Sequence, residues 1–220
     1  MARKSFAFAL LMTVAFGLLA SAAQAATITA GQTLFASGEA GPVGGSLVAS
    51  NSAPLVAVTF TGILDSEVWS GDISNPYEGG LTFVYWIDNT NGPTGNSLSR
   101  FTTSNFTGFQ TDVSYDPTNG RAPTLVDRGA SGDVMGYSFL GDPQLGFGNG
   151  KIAPGETSAK LVIQTDATDW KTTLGFVING STASASTFAP TAVVPEPSTL
   201  ALAAMGIAGA IGFAVRRRKA

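Results

Sequence analysis

Short runs of alternating apolar and polar residues, separated by glycine, proline and asparagine, dominate the middle of the chain. In the clearest run, Leu81, Phe83, Tyr85 and Ile87 alternate with more polar residues, so we expect these four to face a core. Turn-forming segments lie between the runs, at residues 89–93, 116–120, 141–143 and 153–156. The runs with strand-like length and composition cover residues 27–35, 55–63, 81–88, 97–103, 108–115, 134–140, 160–165 and 172–178.

This pattern predicts the fold class of the middle of the chain. Many short strands joined by glycine and proline turns are typical of an all-β domain built from antiparallel sheets. We therefore expect residues 26–180 to form one ectodomain, an antiparallel β-sandwich or a jelly-roll-like variant of it.

The first 25 residues have the order of a cleavable secretory signal peptide. Arg3 and Lys4 precede an apolar run over residues 6–20, and small residues stand at Ala23 and Ala25. The run is short for a membrane span, which argues against a permanent anchor. We expect cleavage after Ala25 and export of the chain that follows.

A second apolar run, residues 198–215, stands directly before a block of four basic residues. Its 18 uncharged residues would span about 27 Å as a helix, close to the hydrocarbon thickness of a bilayer. A buried amphipathic helix is the alternative, but the run is apolar on all sides. We predict a transmembrane helix with the ectodomain outside and a cytoplasmic basic tail of Arg216, Arg217, Arg218 and Lys219.

Two segments connect the ectodomain to this helix. Residues 181–193 are mostly small, carry no charge and predict a flexible linker. The next four residues are Val194, Pro195, Glu196 and Pro197. Because proline fixes its own φ and disfavours the α region for the residue before it, we expect an extended segment just outside the membrane.

The VPEP segment, the apolar run and the basic tail together resemble the PEP-CTERM sorting signal of exopolysaccharide-producing Gram-negative bacteria. This type of tail is also called the ice-binding protein C-terminal domain. The resemblance implies processing by an exosortase, a transient single span in the inner membrane, and delivery to the cell surface or extracellular matrix. It also suggests exopolysaccharide as a partner. It covers residues 194–220 and leaves the role of the ectodomain open.

The composition excludes several classes of chemistry. The chain has no histidine and no cysteine, which rules out histidine-based catalytic triads, disulfides and thiolate metal sites. Between the two termini it carries 6 basic and 14 acidic residues, a net charge of −8. An acidic domain is unsuited to binding nucleic acid, which requires a basic face.

Carboxylates are the remaining candidates for chemistry. Asp65, Glu67 and Asp72 are close in sequence and could hold calcium or supply a glycosidase pair. They lack the spacing of an EF-hand loop, and acidic residues are common in exposed β-loops. We therefore expect no metal, no cofactor and no catalytic residue.

Trp86 is the candidate residue for stacking against a sugar ring, because Thr82 and Asp88 share its side of the predicted strand. Ordinary packing is the alternative for any tryptophan. Two functions follow as hypotheses. The first is a non-enzymatic surface or matrix protein, and the second is a carbohydrate-binding module or a polysaccharide-acting enzyme.

Overall fold

The protein, as a computed structural model, is described over residues 25–92, 94–141 and 150–192 and consists there of two antiparallel sheets. Sheet A has the strand order β1-β7-β10-β5-β4-β3, and sheet B has the order β12-β11-β6-β9-β8-β2. These residues contain no α-helix. The all-β, antiparallel prediction is confirmed. The strands are β1 (Ala26–Thr27), β2 (Thr33–Phe35), β3 (Ser46–Val56), β4 (Thr61–Ser70), β5 (Leu81–Asp88), β6 (Arg100–Thr103), β7 (Thr111–Asp116), β8 (Leu125–Arg128), β9 (Met135–Ser138), β10 (Lys160–Thr165), β11 (Asp169–Ile178) and β12 (Thr182–Thr191).

The hydrophobic core lies between the two sheets and draws residues from both. Two fully buried tyrosines fasten the sheets together. Tyr85 of sheet A donates a hydrogen bond of 2.9 Å to the carbonyl of Phe188 in sheet B. Tyr137 of sheet B donates one of 2.8 Å to the carbonyl of Val162 in sheet A. Burial raises the pKa of both hydroxyls well above the usual range, so they remain donors.

Two central strands of sheet A have the predicted bounds. β5 covers Leu81–Asp88 and β10 covers Lys160–Thr165, as expected from the sequence. The predicted inward set on β5, Leu81, Phe83, Tyr85 and Ile87, is buried in the core. These strands lie in the middle of sheet A, where both neighbours enforce the pairing.

Two predicted strands are instead turns flanked by strands. The run at 55–63 contains the β3–β4 hairpin, closed by a hydrogen bond of 2.9 Å from Ala57 N to Phe60 O. The run at 27–35 is interrupted by a turn at which Gly31 has a φ of 80°, a conformation that favours glycine. In both places apolar residues continue through the turn, so the sequence pattern does not show the reversal. β8 was not predicted, and most of β3 and β4 lies outside the predicted run at 55–63.

The flexible linker predicted at 181–193 is wrong over most of its length, because Thr182–Thr191 is β12, an edge strand of sheet B. Ala183, Ala185, Thr187 and Ala189 face the core. Small residues are needed here because the sheets approach closely: a Cβ at Gly175, the partner of Ala185, would lie 2.7 Å from Leu64 Cδ2. The domain boundary predicted at residue 180 therefore falls inside a β-hairpin.

Candidate functional site

The side of sheet A that points away from the core carries polar residues around Trp86. Ser52 on β3, Asp65 on β4 and Trp86 on β5 are direct cross-strand neighbours. Ser50 and Glu67 form the next row on the same side, since side chains two apart along a strand point the same way. We call this surface the Trp86 face; its members are Ser50, Ser52, Asp65, Glu67, Trp86 and Lys160 of β10.

Side-chain contacts fix the indole of Trp86. The Nζ atom of Lys160 lies 4.7 Å from the centroid of the ring, a cation–π distance. The same Nζ is 3.6 Å from Glu67 Oε2, and this oxygen accepts a hydrogen bond of 3.0 Å from Nε1 of Trp69. Glu67 thus joins Trp69 to Lys160, and the side chain of Lys160 reaches from β10 over the Trp86 ring to β4.

Trp86 separates two shallow hollows. The hollow towards β3 and β4 has a volume of about 280 Å³, and its lining includes Asp65, Glu67 and the two serines of the Trp86 face. The hollow towards β10 and β7 has a volume of about 190 Å³, and its lining includes Lys160 and Asp116. Both volumes fall below the ~300 Å³ at which pockets for drug-sized molecules begin, so each has room for a small ring.

Asp72 does not lie with the other two candidate carboxylates. It follows β4 in a loop that folds over the outer side of sheet A, and it is buried there. Its carboxylate ties this loop to neighbouring segments rather than facing solvent. Its two oxygens accept five hydrogen bonds of 2.6–3.2 Å, from Val43, Ser74, Thr82 and Gln164.

The pKa of Asp72 has consequences for stability. Burial acts to raise this pKa, but hydrogen bonds from Ser74, Thr82 and Val43 outweigh it and lower the pKa below the ordinary 3.8. A carboxyl whose pKa is lowered in the folded state contributes stability above its unfolded pKa. That contribution is lost as the pH falls through the folded pKa.

We therefore expect Asp72→Asn to lower the free energy of unfolding by about 2 kcal/mol near pH 7, because an amide cannot accept all five hydrogen bonds. The variant should also lose less stability than the wild type between about pH 4 and pH 2. Urea unfolding across this pH range measures both effects. Asp169→Asn, at an exposed position on β11, is the matched control. An Asp72→Asn protein as stable as wild type at neutral pH contradicts this role.

Asp65 and Glu67 remain neighbours on the Trp86 face but differ in their contacts. Glu67 is held by Trp69 and Lys160, whereas Asp65 makes no hydrogen bond or ion pair with the described part of the chain. Within residues 25–92, 94–141 and 150–192, no group of three or more acidic side chains is placed to hold a metal ion. Calcium requires six to eight oxygen ligands, so the pair alone does not suit it.

Lys160 is the site residue that the sequence did not connect with Trp86. Its strand was predicted correctly, but only the pairing of β10 with β5 brings it to the indole. Alternation within a strand shows which residues share a side, and it does not show which strand lies next to it. No local signal could have identified this contact.

The predictions for the chain termini fall outside the described residues. This applies to Ala23, to the motif Val194–Pro197, to the span 198–215 and to the basic tail 216–219. The described part of the chain contains no helix long and apolar enough to cross a membrane. Ala25 is described, and its N–H donates a hydrogen bond to the carboxylate of Glu39.

Comparison with known families identifies the C-terminal segment. The family model of the PEP-CTERM protein-sorting motif matches residues 193–219, which confirms the resemblance of the tail. No curated protein and no solved structure matches the chain. The motif implies an exported protein that is sorted by an exosortase, associates with the membrane and passes to the cell surface.

Proposed function

We propose that this is an exported, non-enzymatic surface or extracellular-matrix protein of an exopolysaccharide-producing Gram-negative bacterium. An exosortase sorts it and cuts it at Val194–Pro197. The observation that carries the proposal is the position of the sorting motif. The match begins at residue 193, and β12 ends at Thr191, so the motif directly follows a folded domain.

The N-terminal side of the domain supports the same maturation. β1 begins at Ala26, the residue that would come first after signal peptide cleavage. Strand pairing from Ala26 to Thr191 then fills the segment between the two proposed cuts. Cleavage at both sites would release a sandwich that keeps every described strand.

The available side chains favour a binding or structural role over catalysis. The chain has no histidine and no cysteine, so carboxylates are the main groups that could supply acid–base chemistry near neutral pH. Of the three candidate carboxylates, Asp72 is occupied by five hydrogen bonds, and Glu67 by Trp69 and Lys160. A glycosidase uses two carboxyl groups that are free to act on one bond.

The test compares the producing bacterium with a strain that lacks its exosortase gene, using an antibody against the domain. In the parent strain we expect a shortened protein outside the inner membrane. In the deletion strain we expect the chain to retain its C-terminal segment and to stay in the inner membrane. N-terminal sequencing should give Ala26 in both strains.

Two outcomes would overturn the proposal. Protein of the same length in the inner membrane of both strains would make this an ordinary single-span membrane protein. Release of reducing ends from the host's polysaccharide by the purified protein would make it an enzyme. An inactive exosortase mutant at the normal expression level serves as the control for indirect effects of the deletion.

A further inference from the structure

The Trp86 face combines an aromatic ring with polar groups that have no partner in the described part of the chain. Asp65, Ser50 and Ser52 make no side-chain hydrogen bond or ion pair there. All three project from the paired strands β3 and β4, and Trp86 projects from β5 beside them. Because regular strands carry these groups, their spacing is set before any ligand arrives.

The indole of Trp86 has different neighbours in its two hollows. Lys160 extends from β10 over the ring, and its Nζ lies 4.7 Å from the ring centroid and 3.6 Å from Glu67 Oε2 on β4. The ring also borders the hollow towards β3 and β4, whose lining includes Asp65 but not Lys160. Trp86 thus borders this hollow together with an unpaired carboxylate and two hydroxyl groups.

This arrangement matches the chemistry of a pyranose ring. A pyranose has an apolar C–H surface that packs on an aromatic ring, and a rim of hydroxyl groups that donate and accept hydrogen bonds. A carboxylate accepts hydrogen bonds from two hydroxyl groups, and these charge-assisted bonds are stronger than neutral ones. Serine hydroxyls can donate as well as accept.

The negative charge of the Trp86 face favours neutral glycans over acidic ones. Asp65, Glu67 and Asp116 lie around the two hollows, and among the described residues that line them Lys160 is the only cation. A polysaccharide that carries uronic acids would meet this negative surface at an electrostatic cost. A neutral glycan has no such cost.

We propose that the Trp86 face binds a neutral polysaccharide, with one pyranose ring stacked on Trp86 in the larger hollow and hydrogen-bonded to Asp65. The chain continues across the indole, so that the next ring reaches the hollow beside Lys160 and Asp116. Binding is a property of the sandwich and does not require the sorting reaction.

The test measures binding of the purified mature protein by titration calorimetry. The probes are cellotetraose, maltotetraose and mannotetraose as neutral chains, and tetragalacturonate as the acidic comparator. We expect at least one neutral probe to bind more tightly than tetragalacturonate. Trp86→Ala and Asp65→Asn should each weaken that binding by about tenfold or more, whereas Trp86→Phe should retain most of it.

Matched variants separate binding from folding. Asp169→Asn, on the exposed part of β11 in the other sheet, should bind as wild type does. Trp86 is only partly buried, so Trp86→Ala should keep the circular dichroism spectrum and urea midpoint of a folded protein. The proposal is overturned if no neutral probe binds, if tetragalacturonate binds best, or if folded Trp86→Ala protein binds with wild-type affinity. None of these results would affect the sorting proposal, which is tested in cells.

Discussion

Replacing Arg128 with methionine is expected to remove about 3–5 kcal/mol from the free energy of unfolding, the largest effect of any single substitution considered for this domain. Arg128 ends β8 and is buried. Its guanidinium uses all five of its N–H donors in hydrogen bonds of 2.7–3.1 Å. The acceptors are the carbonyls of Gly132, Ile28, Phe106 and Phe109 and the hydroxyl of Thr111.

These acceptors come from different parts of the fold. Ile28 and Thr111 belong to the β1–β7 edge of sheet A, whereas Arg128 belongs to sheet B. The side chain therefore joins one end of the two sheets and the loops beside it. Without it, four backbone carbonyls lose their guanidinium donors in a largely dry environment, and each unsatisfied group costs roughly 1–3 kcal/mol before relaxation.

Arg100→Met is the matched control. Arg100 pairs with Asp127 through two hydrogen bonds of 2.6 and 2.8 Å, but the two side chains are 30% and 26% exposed. We expect this variant to lose about 1 kcal/mol. Urea unfolding at neutral pH measures both variants, and equal losses would contradict the special role of Arg128. Arg128→Lys should behave much like Arg128→Met, because an ammonium group cannot reach acceptors arranged around a planar fork.

The different roles of these two arginines could not be predicted from the sequence. Both are single basic residues in short β-strands, and no local pattern distinguishes them. The role of Arg128 depends on the carbonyls of Ile28, Phe106 and Phe109, which are far away in the chain, as well as on the nearby carbonyl of Gly132. Long-range packing decides it, and periodicity carries no information about that packing.

The same limit explains which strands were predicted. β5 contains large apolar and aromatic residues, and β10 contains a continuous apolar run at 161–163, so burial and propensity agree in both strands. β12 alternates between alanine and serine or threonine, which resembles a linker in composition. Only the close approach of the sheets at Gly175 gives its small residues a packing role.

Structure beyond the local sequence pattern also decides which of the three candidate carboxylates lie together. The predicted strand ended at residue 63, so the common side of Asp65 and Glu67 follows only from β4, which continues to Ser70. Asp72 lies beyond the end of the strand, where the path of the loop decides its neighbours. Proximity in sequence was therefore misleading for Asp72 and informative for the other two.

Replacing Pro195-Glu196-Pro197 with three alanines is expected to abolish the C-terminal cut and leave the chain in the inner membrane. The two prolines disfavour a helix at the proposed cleavage segment, whereas alanine favours one. The variant would let the predicted transmembrane helix extend towards the domain, and this would remove the extended backbone that a protease needs. Immunoblots of membrane and surface fractions should show at least a tenfold loss of the shortened form.

Because β12 occupies most of the segment predicted as a linker, the connection between the domain and the Pro-Glu-Pro segment is short, and its length can be tested. Four residues lie between Thr191 and Glu196, and even a fully extended chain covers the five steps from one to the other in at most about 18 Å. The enzyme must therefore work close beside the folded sandwich. A variant with five Gly/Ser residues inserted after Ala192 keeps the motif and roughly doubles that reach.

The spacer variant is expected to be cut at least as completely as the wild type, because added length relieves crowding between the sandwich and the enzyme. It also controls for disturbance of the domain, since its insertion lies beyond β12. If the spacer variant alone is cut less well, contact with the domain assists the enzyme and the short connection is part of the recognition. If the three-alanine variant is cut as the wild type is, the Pro-Glu-Pro segment is not the recognition site, and the apolar run and basic tail must carry the sorting signal by themselves.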